Sequence, residues 1–207
     1  MSRFSAWFFS YVQSAAFYRE LHDRAVQLLP SGEGKLWFDV GTGPGLVARD
    51  ASAHGYQSIG FDIDRAMVEQ ARENSRRFFS RADFHVAGLD ELPASGRKAD
   101  VVSAASLLAV MNDKEGALQR LMACVKDGGT LLIIETTNLM KPGNAWVWLR
   151  KNGFGRRNWI LLLWAWVRAH GRAVNPLEMQ LGGYQIRQSD VFEGLVSAWL
   201  IRRNVLS

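Results

Sequence analysis

The segment Lys35-Leu-Trp-Phe-Asp-Val-Gly-Thr-Gly-Pro-Gly45 puts three glycines at alternate positions directly after an apolar run, and it restricts the fold more than any other stretch of the chain. A short apolar run closed by glycines reads as a buried strand, and the glycines let the backbone turn tightly and approach a ligand where a Cβ would stand in the way. Residues 45–54 then have helical spacing, so the turn leads into a helix whose first N–H groups are free to meet a ligand. A second apolar run, Gln57 to Phe61, ends on Asp62, 17 residues beyond Gly45. A carboxylate at that place in a strand–turn–helix–strand unit can accept both hydroxyls of a ribose. Together these features predict a nucleoside cradle.

The same alternation runs on. A helix is expected over 65–79, a weaker strand over 82–86, a strand over 99–104, a helix over 114–126, a turn at Asp127-Gly-Gly and a strand over 130–135. Short apolar runs alternating with helices are the signature of βαβ units and a parallel sheet. Before them, Phe4 to Leu29 reads as one amphipathic helix closed by Pro30-Ser31-Gly32. After them, 141–174 breaks the alternation with two apolar helical stretches around a basic, Gly-rich loop. Asn175-Pro176 then caps a short helix over 177–181, and strands follow over 184–191 and 196–203. The expected division is a single domain over 1–207, with a cap helix (1–34), a cofactor-binding core (35–140), an insert (141–174) and a closing segment (175–207).

Composition agrees with one domain. The 207 residues are 48% apolar, enough for a continuous core without disulfides. The single cysteine, Cys124, excludes an intrachain disulfide and a thiolate cluster, and fits a reducing, cytoplasmic setting. The N-terminal stretch makes a poor signal peptide, and the most apolar run, Trp159 to Val167, is nine residues where a span needs about 20. Four scattered histidines (His22, His54, His85, His170) make no metal site. Charge is uneven: residues 1–140 carry 15 basic and 17 acidic side chains, residues 141–207 carry 10 and 3. Five of the eight tryptophans (Trp146, Trp148, Trp159, Trp164, Trp166) crowd into the same insert.

The glycine spacing separates the candidate ligands. A dinucleotide fold uses Gly-x-Gly-x-x-Gly and receives a pyrophosphate at the helix end. Here the pattern is Gly-x-Gly-x-Gly with Asp39 two residues before it. That carboxylate would repel a pyrophosphate but suits the cationic amine of S-adenosylmethionine (SAM).

Asp39-Val-Gly-Thr-Gly-Pro-Gly45 resembles the first motif of the class I SAM-dependent methyltransferases, and Gly60-Phe-Asp-Ile-Asp64 resembles their second. The likeness spans about 35–135 and resumes at 176–203, with Ala99 to Ala105 similar to the fourth strand and Leu118 to Gly129 similar to the helix and turn before the fifth. It implies a Rossmann-like, doubly wound α/β sheet of seven strands in the order 3-2-1-4-5-7-6, strand 7 antiparallel. It also implies that the methionine amine lies near Asp39 and Gly41, that Thr42, Gly43 and Gly45 line the turn, and that Asp62 holds the ribose. Ile63 and Met67 would flank the adenine and Ala104 would wall the site. The family usually has Gly-Asp after strand three, where this chain has Gly88-Leu89-Asp90, so either Asp90 or the Leu89 amide would meet the adenine amine.

Absent motifs narrow the acceptor. Ala105-Ser-Leu-Leu108 stands where nucleic-acid amine methyltransferases of this kind carry Asn-Pro-Pro-Tyr, and Cys124 is placed as core rather than as the nucleophile of cytosine C5 methylation. The His pair of many small-molecule members is replaced by Ala109 and Val110. If a base exists, Glu135 at the end of strand five is the candidate; a capping or Arg-paired carboxylate is the plain alternative. The Trp-rich insert reads as a hydrophobic lid, as a lid that also touches a membrane surface through residues 146–168, or, least well, as a nucleic-acid face. The expected activity is methyl transfer to a small hydrophobic acceptor such as a quinone precursor, a lipid or an aromatic metabolite. Its alternatives are a SAM-binding scaffold without catalysis and a nicotinamide-dependent oxidoreductase. Oligomeric state is left open.

Overall fold

In the computed structural model the described residues are 15–155, 157–169, 175–178 and 183–204. Seven strands form one sheet in the order β3-β2-β1-β4-β5-β7-β6. They are β1 (Leu36–Val40), β2 (Gln57–Asp62), β3 (Asp83–Val86), β4 (Ala99–Ala105), β5 (Val125–Thr136), β6 (Tyr184–Phe192) and β7 (Val196–Arg203). The first five run parallel, and β7 is antiparallel to both β5 and β6. The helices, in chain order, are α1 (Ala16–Val26), α2 (Leu46–Ala53), α3 (Arg65–Arg77), α4 (Glu91–Ala94), α5 (Lys114–Ala123), α6 (Pro142–Asn152) and α7 (Ile160–Ala169). Two short 3₁₀ turns lie at Leu108–Val110 and Pro176–Glu178.

Both faces of the sheet are covered, as the pleat requires. Along β5, Leu132 and Ile134 join Trp37 and Val47 in one apolar cluster, while Leu131 and Ile133 join Phe38 and Leu118 in the other. This explains why the parallel strands read as unbroken apolar runs rather than as alternating ones.

Several boundaries differ from expectation for local reasons. Helix α1 stops at Val26, because the amides of Leu28 and Leu29 bond the carbonyls of Ala25 and Val26 in a tightened final turn. The part of that helix expected before Ala15 lies outside the described residues. Helix α3 stops at Arg77, since Phe79 takes a left-handed φ of 52°. Helix α5 ends at Ala123, and β5 begins at Val125, not Thr130. Its register against β4 jumps from Ala99↔Val125 to Val101↔Thr130, so the Asp127-Gly-Gly turn is looped out of a longer strand. The expected helix over 177–181 is a 3₁₀ turn at Pro176–Glu178, opened by the Asn175 side chain accepting from the Leu177 amide at 3.1 Å; residues 179–182 lie outside the described residues.

The insert forms α6 and α7, which pack on α1. Phe17 is the hub: its ring stacks on Trp164 at 6.1 Å and on Phe192 at 5.6 Å, and meets Trp148 edge-on at 6.2 Å. The apolar stretch 158–168 has two faces. Ile160, Leu161 and Ala165 are buried, whereas Leu163, Trp166 and Val167 are exposed. Among the described residues no helix is long and apolar enough to cross a membrane.

Candidate active site

The carboxyl ends of β1, β2, β4 and β5 converge on one edge of the sheet, the edge where open α/β folds place their ligands. The turn after β1 runs through three left-handed glycines, with φ of 70° at Gly41, 51° at Gly43 and 82° at Gly45. A side chain at Gly45 would put its Cβ 2.6 Å from the Phe84 ring, and one at Gly41 would meet Leu107 at 3.0 Å. All three glycines are demanded by conformation, and Gly45 by space as well.

Side chains tie this turn together. Asp39 is buried, and both of its oxygens are engaged: Oδ2 accepts from the Thr42 hydroxyl at 2.6 Å and Oδ1 from the Ser103 hydroxyl at 2.7 Å. Ser103 in turn accepts from the Trp37 indole at 2.8 Å. Burial pushes Asp39 up to about 6, against the pull of those two hydroxyl bonds. Asp62 bridges the turn to α3, accepting from the Gly43 amide and from the Asp64 amide, each at 2.9 Å. Burial raises its carboxyl as well. Asp64 then caps α3 by accepting from the Ala66 amide.

The remaining candidate residues fall into two groups. Ile63 projects from the edge with 77% of its surface exposed, beside Asp62, where an adenine ring would cover it. Met67 and Ala104 are buried in packing, and Leu89 is buried against the same apolar cluster as Ala104. Asp90 is exposed and pairs with Arg120 at 3.1 Å, so the structure directs it to α5 and not toward the turn. His54 closes α2 with its ring at 3.0 Å from the Leu29 carbonyl, and His85 sits on exposed β3 beside Asp83.

Glu135 lies near the end of β5 and is 1% exposed. Its Oε1 accepts from the Ala109 amide at 3.2 Å, while Oε2 is buried with no hydrogen-bond partner among the described residues. Burial drives this carboxyl up to about 7, although Arg168 of α7 and the amides of the 3₁₀ turn pull it down. The capping alternative is thus real for one oxygen, and the other is left over. An orphaned buried carboxyl oxygen costs roughly 1–3 kcal/mol, a cost that a bound partner would relieve. Tyr18 of α1 belongs to the same neighbourhood, edge-on to Trp164 at 5.2 Å, with Glu135 and Asp39 among the charges acting on its hydroxyl.

Sequence reasoning missed Ser103 and Tyr18. Ser103 is the hydroxyl residue amid the apolar run 101–105 of β4, which was the available signal; its partner is 64 positions away. Tyr18 gave no signal beyond helical periodicity.

Residues 38–133 match a family model described as a methyltransferase domain. Over that segment the chain is similar to methyltransferase domains, and its sheet order is the one that the class I SAM-dependent methyltransferase resemblance implies. Among curated proteins similar to this chain is the ubiquinone biosynthesis O-methyltransferase of Coxiella burnetii, 23% identical over 99 residues, which cover 48% of this chain and 42% of the relative. A malonyl-[acyl-carrier protein] O-methyltransferase of Serratia marcescens is 23% identical over 147 residues, covering 70% and 56% respectively. The chain thus spans less than two thirds of the length of either relative. The magnesium protoporphyrin IX methyltransferase of Synechocystis PCC 6803, solved with bound S-adenosylhomocysteine (SAH), has the same fold, with a TM-score of 0.68 at 17% identity over 97% of this chain and 94% of that one.

The residues present fit SAM. The glycine turn stands at the ligand edge, acids stand at Asp39 and Asp62, and the apolar Ile63 is exposed next to them. Asp62 has lone pairs left beyond its two amide bonds for ribose hydroxyls.

Proposed function

We propose that this methyltransferase moves a methyl group from SAM to a small hydrophobic acceptor whose nucleophile lies beside Glu135. The observation that carries the reading is the free Oε2 of Glu135, buried on the edge that also holds the glycine turn. Asp39, Gly41, Thr42, Gly43, Gly45, Asp62 and Ile63 would hold the cofactor, with Met67, Leu89 and Ala104 packing beneath it. Asp90 is the weakest of the adenine candidates, given its ion pair with Arg120. When bound, SAM supplies a methyl on a sulfonium that leaves as the neutral thioether SAH. The acceptor would displace SAH from that methyl group, and Glu135 Oε2 would take the acceptor's proton. A carboxyl poised near pH 7 matches this role, since a base works best with its pKa near the operating pH.

The apolar character of the acceptor rests on the insert. Trp148 and Trp164 point inward to Phe17, roofing the ground next to Tyr18 and Arg168. Their neighbours at two-residue spacing point outward: Trp146 is 48% exposed and Trp166 is 59% exposed, and Trp159 is 47% exposed. Phe154 and Val167 extend that outer face, and the exposed Arg150, Lys151 and Arg157 border it; Arg156 and Arg172 lie outside the described residues. Exposed indoles among cations suit the headgroup level of an anionic membrane. The second part of the proposal is that the enzyme works in the cytoplasm at such a surface, from which it takes its acceptor.

The test uses SAM labelled in the methyl group and a whole lipid extract. Label recovered in an organic-phase product supports the reading. SAH binding with no transfer to any extract fraction would leave a scaffold, and label confined to nucleic acid would overturn the acceptor class.

A further inference from the structure

The outer side of the molecule carries a second cleft that shares no lining residue with the glycine turn. It encloses about 440 Å³ between α1, α2 and the segment joining α3 to β3. Its polar walls come from three separate elements: Arg19 on α1, Arg49 and Asp50 on α2, and Arg81 before β3. Its apolar wall is the pair Phe78-Phe79.

Each feature of this cleft is expensive unless something fills it. Phe79 is 95% exposed on a left-handed backbone, where a bulky residue is strained and gains nothing from water. The Arg49 guanidinium is held in place, its Nη1 donating to the Pro44 carbonyl at 2.8 Å and its Cζ lying 5.3 Å from the Phe78 centroid. A cation fixed over a ring is preorganised, so little side-chain freedom is left to lose on binding an anion. Asp50 Oδ2 is buried without a hydrogen-bond partner. Burial raises that carboxyl to about 7, helped by Asp23 and Asp39 and opposed by Arg49 and Arg19, so its protonated form, able to donate to an anion, is within reach near neutral pH.

We infer that this cleft is a second ligand site, for a small planar organic anion that places a phosphate or carboxylate among Arg19, Arg49 and Arg81 and its ring against Phe78 and Phe79. Three arginines from different elements line the one cleft, and guanidiniums carry the forked donors that such oxyanions take up. The phenyl pair distinguishes the site from a plain anion patch, since it rewards a flat apolar body.

Phenyl phosphate is the probe, titrated calorimetrically into protein already saturated with SAH so that the cofactor turn takes no part. Inorganic phosphate tests the charge alone and benzyl alcohol the ring alone. One phenyl phosphate should bind per chain, more tightly than inorganic phosphate, with benzyl alcohol silent. Arg19→Ala and Arg81→Ala should each weaken it roughly tenfold, the loss of a charge-assisted hydrogen bond. Both arginines are exposed, so these variants should keep the wild-type melting temperature with SAH; Phe79→Ser gives the same test from the apolar side, removing the preference for phenyl phosphate over phosphate. No binding of phenyl phosphate, equal affinity for inorganic phosphate, or affinity unchanged in all three variants would overturn the assignment. Failure to bind SAH at all would count against the cofactor reading and not against this cleft.

Discussion

Two buried carboxyls reach the same edge of the sheet, and they differ in how their oxygens are used. Asp39 on β1 has both oxygens bonded, to Thr42 and Ser103, within a turn where amides and acids answer one another. Glu135 on β5 has one oxygen bonded and one bare. The first is finished architecture: it fixes a turn that a cofactor meets ready-made. The second is unfinished, and an unfinished polar group in a dry place is where a reacting molecule is expected. The contrast teaches that burial alone does not mark a reactive acid, since both are buried and both are raised by it. A spare oxygen at the edge that holds the cofactor turn does.

The largest effect should come from the unfinished side. Glu135→Gln keeps size and the bond from the Ala109 amide but cannot accept the proton, so turnover should fall by roughly 10²–10⁴-fold, the usual worth of a general base, while SAH affinity is unchanged. In the wild type, kcat/KM should rise with pH through about 7 and then level, following the Glu135 carboxyl; a pH-independent rate would remove the base from the account. On the finished side, Asp39→Ala strips the partners of Thr42 and Ser103 and should weaken SAH by about 10²-fold, two lost hydrogen bonds to a charged group, measured by calorimetry.

Stability sharpens the same contrast at smaller scale. Glu135 is raised to about 7 and Asp39 to about 6, so between pH 4 and 7 the folded chain holds more protons on them than the unfolded chain does. Their contribution is complete below the unfolded carboxylate range and is lost as pH rises through 6 to 7. Buried His22, lowered to about 4 by burial, opposes this, because its contribution is lost as pH falls toward 4. Glu135→Gln removes an ionisation that folding resists, and it should therefore melt higher than wild type at pH 8, by about 1–3 kcal/mol of unfolding free energy. A variant that is slower and more stable is the expected mark of a reactive buried acid. The smallest effect belongs to the outer face: Trp146→Ala with Trp166→Ala should reduce co-sedimentation with anionic vesicles several-fold, as a surface change that leaves the melting temperature unaltered. Equal pelleting would confine the insert to its role as a lid.

What the sequence disclosed follows the range of each interaction. The strand, glycine turn and Asp62 could be read because their geometry is local: φ preference and a spacing of 17 residues. The outward and inward tryptophans were readable as a cluster but not as two faces, because the apolar count on 158–168 hides which side Phe17 covers. Ser103 was invisible as a clamp, since its role exists only when β4 lies beside β1. Asp90 shows another limit of local reading: its place in the chain resembles the family's adenine-facing acid, while its ion pair with Arg120 of α5 appears only in the fold. The looped-out turn within β5 was hidden because Asp-Gly-Gly signals a turn equally well between elements and inside one.

The claim that one acid builds the cofactor turn and the other serves the acceptor is tested most directly by SAH calorimetry on wild type, Asp39→Ala and Glu135→Gln side by side. Wild type and Glu135→Gln should bind SAH alike, with Asp39→Ala weaker by about two orders of magnitude. Equal loss in both variants, or none in Asp39→Ala, would contradict that division.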